Sequence, residues 1–229
     1  MIDIRAAERF RRLGLFTICA VYIVILAGGI VRASGAGMGC PDWPTCFGQW
    51  IPPTQEAQLP ANYHEIYAVG YENTTFNPLK TWTEYVNRLV GASTGILVLL
   101  TAWASRIYLK GDKGIFYLTL SVFLLIGFQG WLGSAVVASN LKPLMITLHM
   151  LLALFIVGLL IYAIARSQQP LLATVDASGL PERFGTVLKV AMGMTLLQIA
   201  MGTQVREAID FIAHQHGYIE RQFWREDFP

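Results

Sequence analysis

An all-α membrane protein, a helical bundle with five transmembrane helices, is the fold class the sequence predicts, and three observations predict it. Hydrophobic residues make up 54% of the 229 positions and charged residues only 14%, with a mean hydropathy of +0.48. That is more apolar surface than one water-soluble core can bury. Five stretches are long and apolar enough to cross a hydrocarbon layer about 30 Å thick, which takes roughly 20 residues per helix. Lysine and arginine, finally, fall mostly on one side of those stretches when the N-terminus is placed in the cytoplasm.

The first stretch, Leu13 to Val31, follows Arg5, Arg9, Arg11 and Arg12. Its length exceeds the 7 to 15 residues of a signal-peptide core, and Arg32 stands between it and the small residues Ala33 to Gly37, so it is read as a retained helix. The second, Leu89 to Ser105, is short and is extended toward the headgroups by Val86 to Arg88. Ile115 to Val137, Leu144 to Ala165 and Val187 to Val205 complete the set, and Lys189 lies near enough to one end of the last to snorkel. The predicted organisation is a cytoplasmic segment 1–12, a four-helix unit 13–165 with an outer loop 32–85, a cytoplasmic loop 166–186, a fifth helix 187–205 and an outer tail 206–229. A multi-pass protein of a bacterial-type inner membrane follows, with the lipid bilayer as its solvent. The net charge of +2 points to no nucleic-acid partner.

A short pattern recurs where outward-going helices end. Gly28-Gly29-Ile30-Val31-Arg32 closes the first and Gly202-Thr203-Gln204-Val205-Arg206 the fifth. Gln129, Gly133 and Val136 of the third align with Gln198, Gly202 and Val205. The fifth helix then reads as the start of a second, incomplete copy of a four-helix unit, and the chain as a truncated form of a longer protein.

Cys40 and Cys46, in Gly39-Cys40-Pro41-Asp42-Trp43-Pro44-Thr45-Cys46, sit where oxidising conditions permit a disulfide. A stapled loop and a redox-active pair are both open, although the spacing is not that of a C-x-x-C redox site. Cys19 reads as a small apolar filler of the first helix. Glu84 and Arg88 stand four apart, so they share a helix face and can pair, with Asn87 close to the same face. His149 is alone among the histidines in lying inside an apolar stretch, about 8 Å below the outer helix end at 1.5 Å per residue. It either bonds a neighbouring helix or ligates a haem. Asn87 lies at matching depth, and the two would face one cavity if the second and fourth helices pack together. His64, His214 and His216 read as surface residues, and the Gly91/Gly95 and Gly130/Gly133 steps as sites of close helix packing.

These residues together resemble the haem A synthase family. The resemblance rests on Gly28 to Gly35, Gly37 to Cys46, Glu84 to Arg88, Gln129 to Gly133 and His149. It implies the conversion of haem O to haem A by successive hydroxylation of a methyl group to a formyl group, on a duplicated eight-helix scaffold. It implies His149 as a ligand to haem iron and places Asn87 where the family has its other first-half histidine. Asn is a poor iron ligand, so His149 is left as the single protein ligand of this half. By the same resemblance Glu84 serves proton transfer or substrate positioning, Arg32, Arg88 and Arg206 pair with haem propionates, and Cys40 with Cys46 forms a disulfide or relays redox equivalents. A haem b belongs to the second half, which this chain lacks. Haem O, an unidentified electron donor, and cytochrome oxidase assembly proteins or a second copy of the chain are the implied partners. Two other readings stand beside it, a disulfide-quinone oxidoreductase and a non-catalytic haem carrier for oxidase assembly.

Overall fold

The computed structural model describes residues 3–67, 76–139, 141–176 and 178–215, without the side chains of 170, 171, 206, 207 and 210–215. Five long helices carry the chain: α1 (Ile4–Ala33), α2 (Pro78–Ala104), α3 (Lys113–Ala138), α4 (Pro143–Ser167) and α5 (Phe184–Gln215). All five are long and apolar enough to cross a membrane. Among the described residues no β-strand forms.

Helix starts follow capping chemistry, which hydropathy does not see. Asp3 accepts the Arg5 amide at 3.0 Å and opens α1 well before its apolar stretch. Asn77 accepts from Lys80 N at 3.2 Å with Pro78 in the first turn, so α2 begins inside the region expected to be loop. Asp112 caps α3 through Gly114 N, and Pro143 opens α4. At the other end, α5 runs past Arg206 into the expected tail.

Four helices form a ring. α1 packs on α2, α2 on α3, α3 on α4, and α4 back on α1. The condition that α2 and α4 pack together is not met: they occupy one diagonal of the ring and α1 and α3 the other, each helix packing on its two neighbours. Among the described residues the one long helix that α5 packs on is α4, and its apolar stretch is exposed. Its anchor is Thr203, buried, whose hydroxyl meets that of Thr147 at 2.6 Å.

The ring has two unlike halves. Far from the loop, Phe10, Val21, Val98, Ile115, Val122, Ile156 and Leu160 make a continuous core, with Phe10 edge-on to Tyr108 at 5.2 Å. Buried threonine and serine hydroxyls there pair, Thr17 with Thr101 at 2.8 Å and Thr119 with Ser105 at 2.7 Å, while the Tyr108 hydroxyl is buried without a partner. A Cβ at Gly14 would lie 2.8 Å from Ile164 Cγ1, so α1 and α4 approach closely there. Cys19, by contrast, is on the exposed face of α1 and fills no core. Toward the loop, buried apolar side chains thin out to Val31, Leu132 and Ile146.

Candidate functional site

The loop end of the ring is covered by residues 34–67 with 76 and 77, and a small core of its own holds that cover together. Cys40, Cys46, Phe47, Leu59 and Tyr63 are buried, with the Phe47 ring edge-on to Tyr63, Tyr67 and Phe76. Cys40 and Cys46 form a disulfide. Between them Asp42 organises the turn: its carboxylate accepts from Phe47 N at 2.6 Å, from Gly48 N at 2.9 Å and from the Thr45 hydroxyl.

The cover is clamped to α2 by the Glu84–Arg88 pair. Arg88 donates to the carbonyls of Asp42 (2.7 Å), Thr45 (2.9 Å) and Cys40 (3.1 Å), and to Glu84 Oε1 at 2.5 Å. Glu84, 4% exposed, accepts the Cys40 amide on its other oxygen at 2.9 Å. Four guanidinium N–H groups and both carboxylate oxygens are thus engaged in holding the loop. Thr81 adds a hydroxyl bond to the Gly39 carbonyl at 2.9 Å. At Gly39 the loop backbone approaches α2 so closely that a Cβ would stand 2.6 Å from the Lys80 carbonyl carbon.

Asn87 Oδ1, Gln129 Oε1 and His149 Nδ1 are buried polar atoms without partners on the helices beneath this cover, and Trp82 Nε1, on the stretch of α2 that meets the cover, is another; the Tyr108 hydroxyl, in the far half, is a fifth. Such atoms are exceptions, since buried polar groups are normally bonded. Asn87 on α2 lies over Gly28 of α1, its Oδ1 4.0 Å from where a Cβ would stand. His149 on α4 lies over Gly133 of α3, its Cε1 3.3 Å from the corresponding point. Gly28 and Gly133 are each five residues from the last residue of their helices, so Asn87 and His149 occupy one level on the α2–α4 diagonal. Gln129 Nε2 donates to the His149 carbonyl at 2.9 Å, tying α3 to α4 beside the imidazole.

The residues singled out by sequence therefore separate into two groups. Glu84, Arg88, Cys40 and Cys46 belong to the cover, and Asn87 and His149 to the layer beneath it. Arg32 ends α1, partly buried at the same end of the bundle. Arg206 lies on α5 with its side chain outside the described residues, as is that of His214, and His216 lies wholly outside them. His64 is exposed and stacked on Tyr63 at 3.9 Å. Trp82 and the organising role of Asp42 had no periodicity or spacing to mark them. Close helix packing is not seen at the sequence-marked glycines: a Cβ at Gly91 or Gly95 would meet Val24 or Ile126 at an ordinary 3.8 Å, one at Gly130 would meet nothing within 4 Å, and Gly133 makes room for the imidazole. Among the described residues no group of three or more His, Cys, Asp or Glu side chains is placed to hold a metal ion.

Comparison with known proteins agrees with the resemblance read from the Gly28 to Cys46 run. Curated relatives named Heme A synthase include that of Shewanella oneidensis, 31% identical over 186 residues that cover 81% of this chain and 53% of the relative. That of Azorhizobium caulinodans is 29% identical over 205 residues, 82% of this chain and 56% of the relative. That of Shouchella clausii is 33% identical over 141 residues, 61% and 39% respectively. The chain spans about half the length of the curated relatives it matches. No solved structure matches it. The family model for cytochrome oxidase assembly proteins, COX15-CtaA, matches residues 11–229. Since that match takes in everything but the first turns of α1, the chain belongs to the COX15-CtaA family of cytochrome oxidase assembly proteins.

Proposed function

We propose that this chain is a haem A synthase-like membrane oxidoreductase unit that holds haem in the loop-side half of its four-helix ring, with His149 as the protein ligand to iron. The relatives' printed names support a role in haem A biosynthesis. One observation carries the assignment to this place: a buried imidazole with an unpaired Nδ1, on a level with an unpaired Asn87 oxygen across the ring. The residues suit a haem, because a mostly apolar compartment with a lone imidazole and few competing bonds is what axial ligation requires. Haem would supply the redox-active iron needed for stepwise oxidation of a haem O methyl group to a formyl group.

The chain's own residues then take distinct roles. His149 would hold and orient the group, and Asn87, a poor iron ligand, would not be a second protein ligand. Arg32 is the candidate partner for a propionate, and Arg206 a second. Arg88 and Glu84 act by holding the cover shut and excluding water, since their polar atoms are already engaged. A haem b in a further half, an electron donor, and an N-terminus on the cytoplasmic face of an inner membrane complete the reading. The disulfide-quinone alternative lacks an accessible sulfur, as both cysteines are 0% exposed.

The test is direct. Protein purified in detergent should show a Soret band, lost in His149→Ala, and extraction should yield haem. Absence of haem after reconstitution with excess haem, with His149→Ala changing nothing, sinks the reading. Product analysis for haem A separates an enzyme from a carrier.

A further inference from the structure

His149 is held from α3, and the way it is held goes beyond ligation itself. Two α3 residues one turn apart meet it: Gly133, whose missing side chain leaves room for the ring, and Gln129, whose Nε2 bonds the His149 carbonyl at 2.9 Å. The remaining polar atom of each partner is buried and unpaired, an acceptor on Gln129 (Oε1) and a ring nitrogen on His149 (Nδ1). A buried acceptor and a buried ring nitrogen on two residues already in contact have complementary chemistry.

We propose that Gln129 is a positioning residue for the iron ligand, its carboxamide bridging His149 by donating to the main-chain carbonyl and accepting the Nδ1 proton. This rests on the haem reading above. Pairing in this way holds the imidazole in the tautomer that leaves Nε2 for iron, fixes the ring's rotation, and raises the ligand's basicity. It also satisfies two atoms that are otherwise costly to bury. Gly133 is part of the same device, since a side chain there would push the ring off the carboxamide.

The experiment uses the full chain in detergent, loaded with haem, and compares the parent with Gln129→Leu, Gln129→Glu and His149→Ala. Gln129→Leu removes both bonds at similar volume and is expected to weaken haem retention by about 10–100-fold, the usual loss on removing such a partner. It should also raise the midpoint potential, because a less basic imidazole favours ferric iron less. Gln129→Glu keeps an acceptor and should restore retention while lowering the potential below that of the parent. Nitrogen shifts of ¹⁵N-labelled histidine in the haem-free protein give a second readout, with the His149 signal identified by its loss in His149→Ala. An Nδ1–H tautomer in the parent that becomes a mixture in Gln129→Leu is the expected result. If His149→Ala loses haem while Gln129→Leu matches the parent in retention, potential and tautomer, the proposal is overturned and the haem reading stands. If His149→Ala retains haem with an unchanged spectrum, the haem reading falls and the ligand-positioning proposal with it.

Discussion

The two halves of the four-helix ring are made of the same helices and yet are packed differently. In the half away from the loop, large apolar side chains interlock and two buried hydroxyl pairs, Thr17–Thr101 and Thr119–Ser105, are matched, with the Tyr108 hydroxyl buried unpaired among them. In the loop-side half the buried apolar side chains are few, the small residues Gly28 and Gly133 face polar side chains, and four buried polar atoms lack partners. One half is built to be rigid, and the other holds polar atoms that a guest could satisfy. Buried polar atoms without partners are exceptions in a protein interior, so their gathering around His149 calls for an explanation. On the reading proposed above, the difference also separates stability from function, with the scaffold at one end and the candidate site at the other.

Substitutions can break this contrast, and the largest effect is expected in the packed half. Phe10→Ala empties a fully buried aromatic site and should cost about 3–5 kcal/mol, measured as loss of folded protein in a detergent or mixed-micelle denaturation series. An effect below ~1 kcal/mol would show that the half is not the packed one. Next comes the clamp. Arg88→Met leaves the Glu84 carboxylate buried without its partner, a loss of about 3–5 kcal/mol for a fully buried pair and less here because the pair lies at the rim of the bundle. The readout is faster reduction of the Cys40–Cys46 disulfide and faster proteolysis within residues 34–67, with the core's melting little changed.

A pair of glycine substitutions sharpens the comparison. Gly14→Ala should cost about 1–3 kcal/mol through contact with Ile164 in the packed half. Gly29→Ala, where a Cβ meets nothing within 4 Å, should be neutral or stabilising by up to ~1 kcal/mol through helix propensity. Equal costs would erase the distinction. Gly39→Ala belongs with Gly14→Ala in size but should loosen only the loop.

The smallest expected effect is on pH. Arg166 bonds Asp112 at 2.5 and 3.0 Å beyond the packed end, which holds the Asp112 carboxyl below its usual range. A carboxylate whose pKa is depressed on folding stabilises the fold at pH values above its unfolded pKa, and that stabilisation is lost as pH falls through the folded value. Because both side chains are about a third exposed, Asp112→Asn should lower the melting temperature only slightly at neutral pH and not at all in strong acid. A larger loss in acid than at neutrality contradicts the pairing.

Much of this was legible in the residues. Apolar length placed all five helices, although the first turns of α1 and α2 were missed because they are polar and are started by Asp3 and by Asn77-Pro78. The four-residue spacing of Glu84 and Arg88 announced a pair. What it could not announce is that the pair clamps backbone carbonyls more than 40 positions away, since a carbonyl carries no sequence signature. His149 stood out as a lone imidazole in an apolar run, whereas Gln129 beside it depends on the register of α3 against α4.

Sequence by itself determined that the chain is apolar enough to cross a membrane and that the described residues carry five helices long enough to do so, and it marked the candidate residues for chemistry, because hydropathy and local spacing are properties of neighbours along the chain. Only the tertiary structure decided that α2 and α4 stand on a diagonal, that Glu84 and Arg88 serve the loop cover, and that Gln129 attends His149. Those facts are set by contacts between helices remote in the chain, where packing geometry chooses among partners that spacing alone leaves equal.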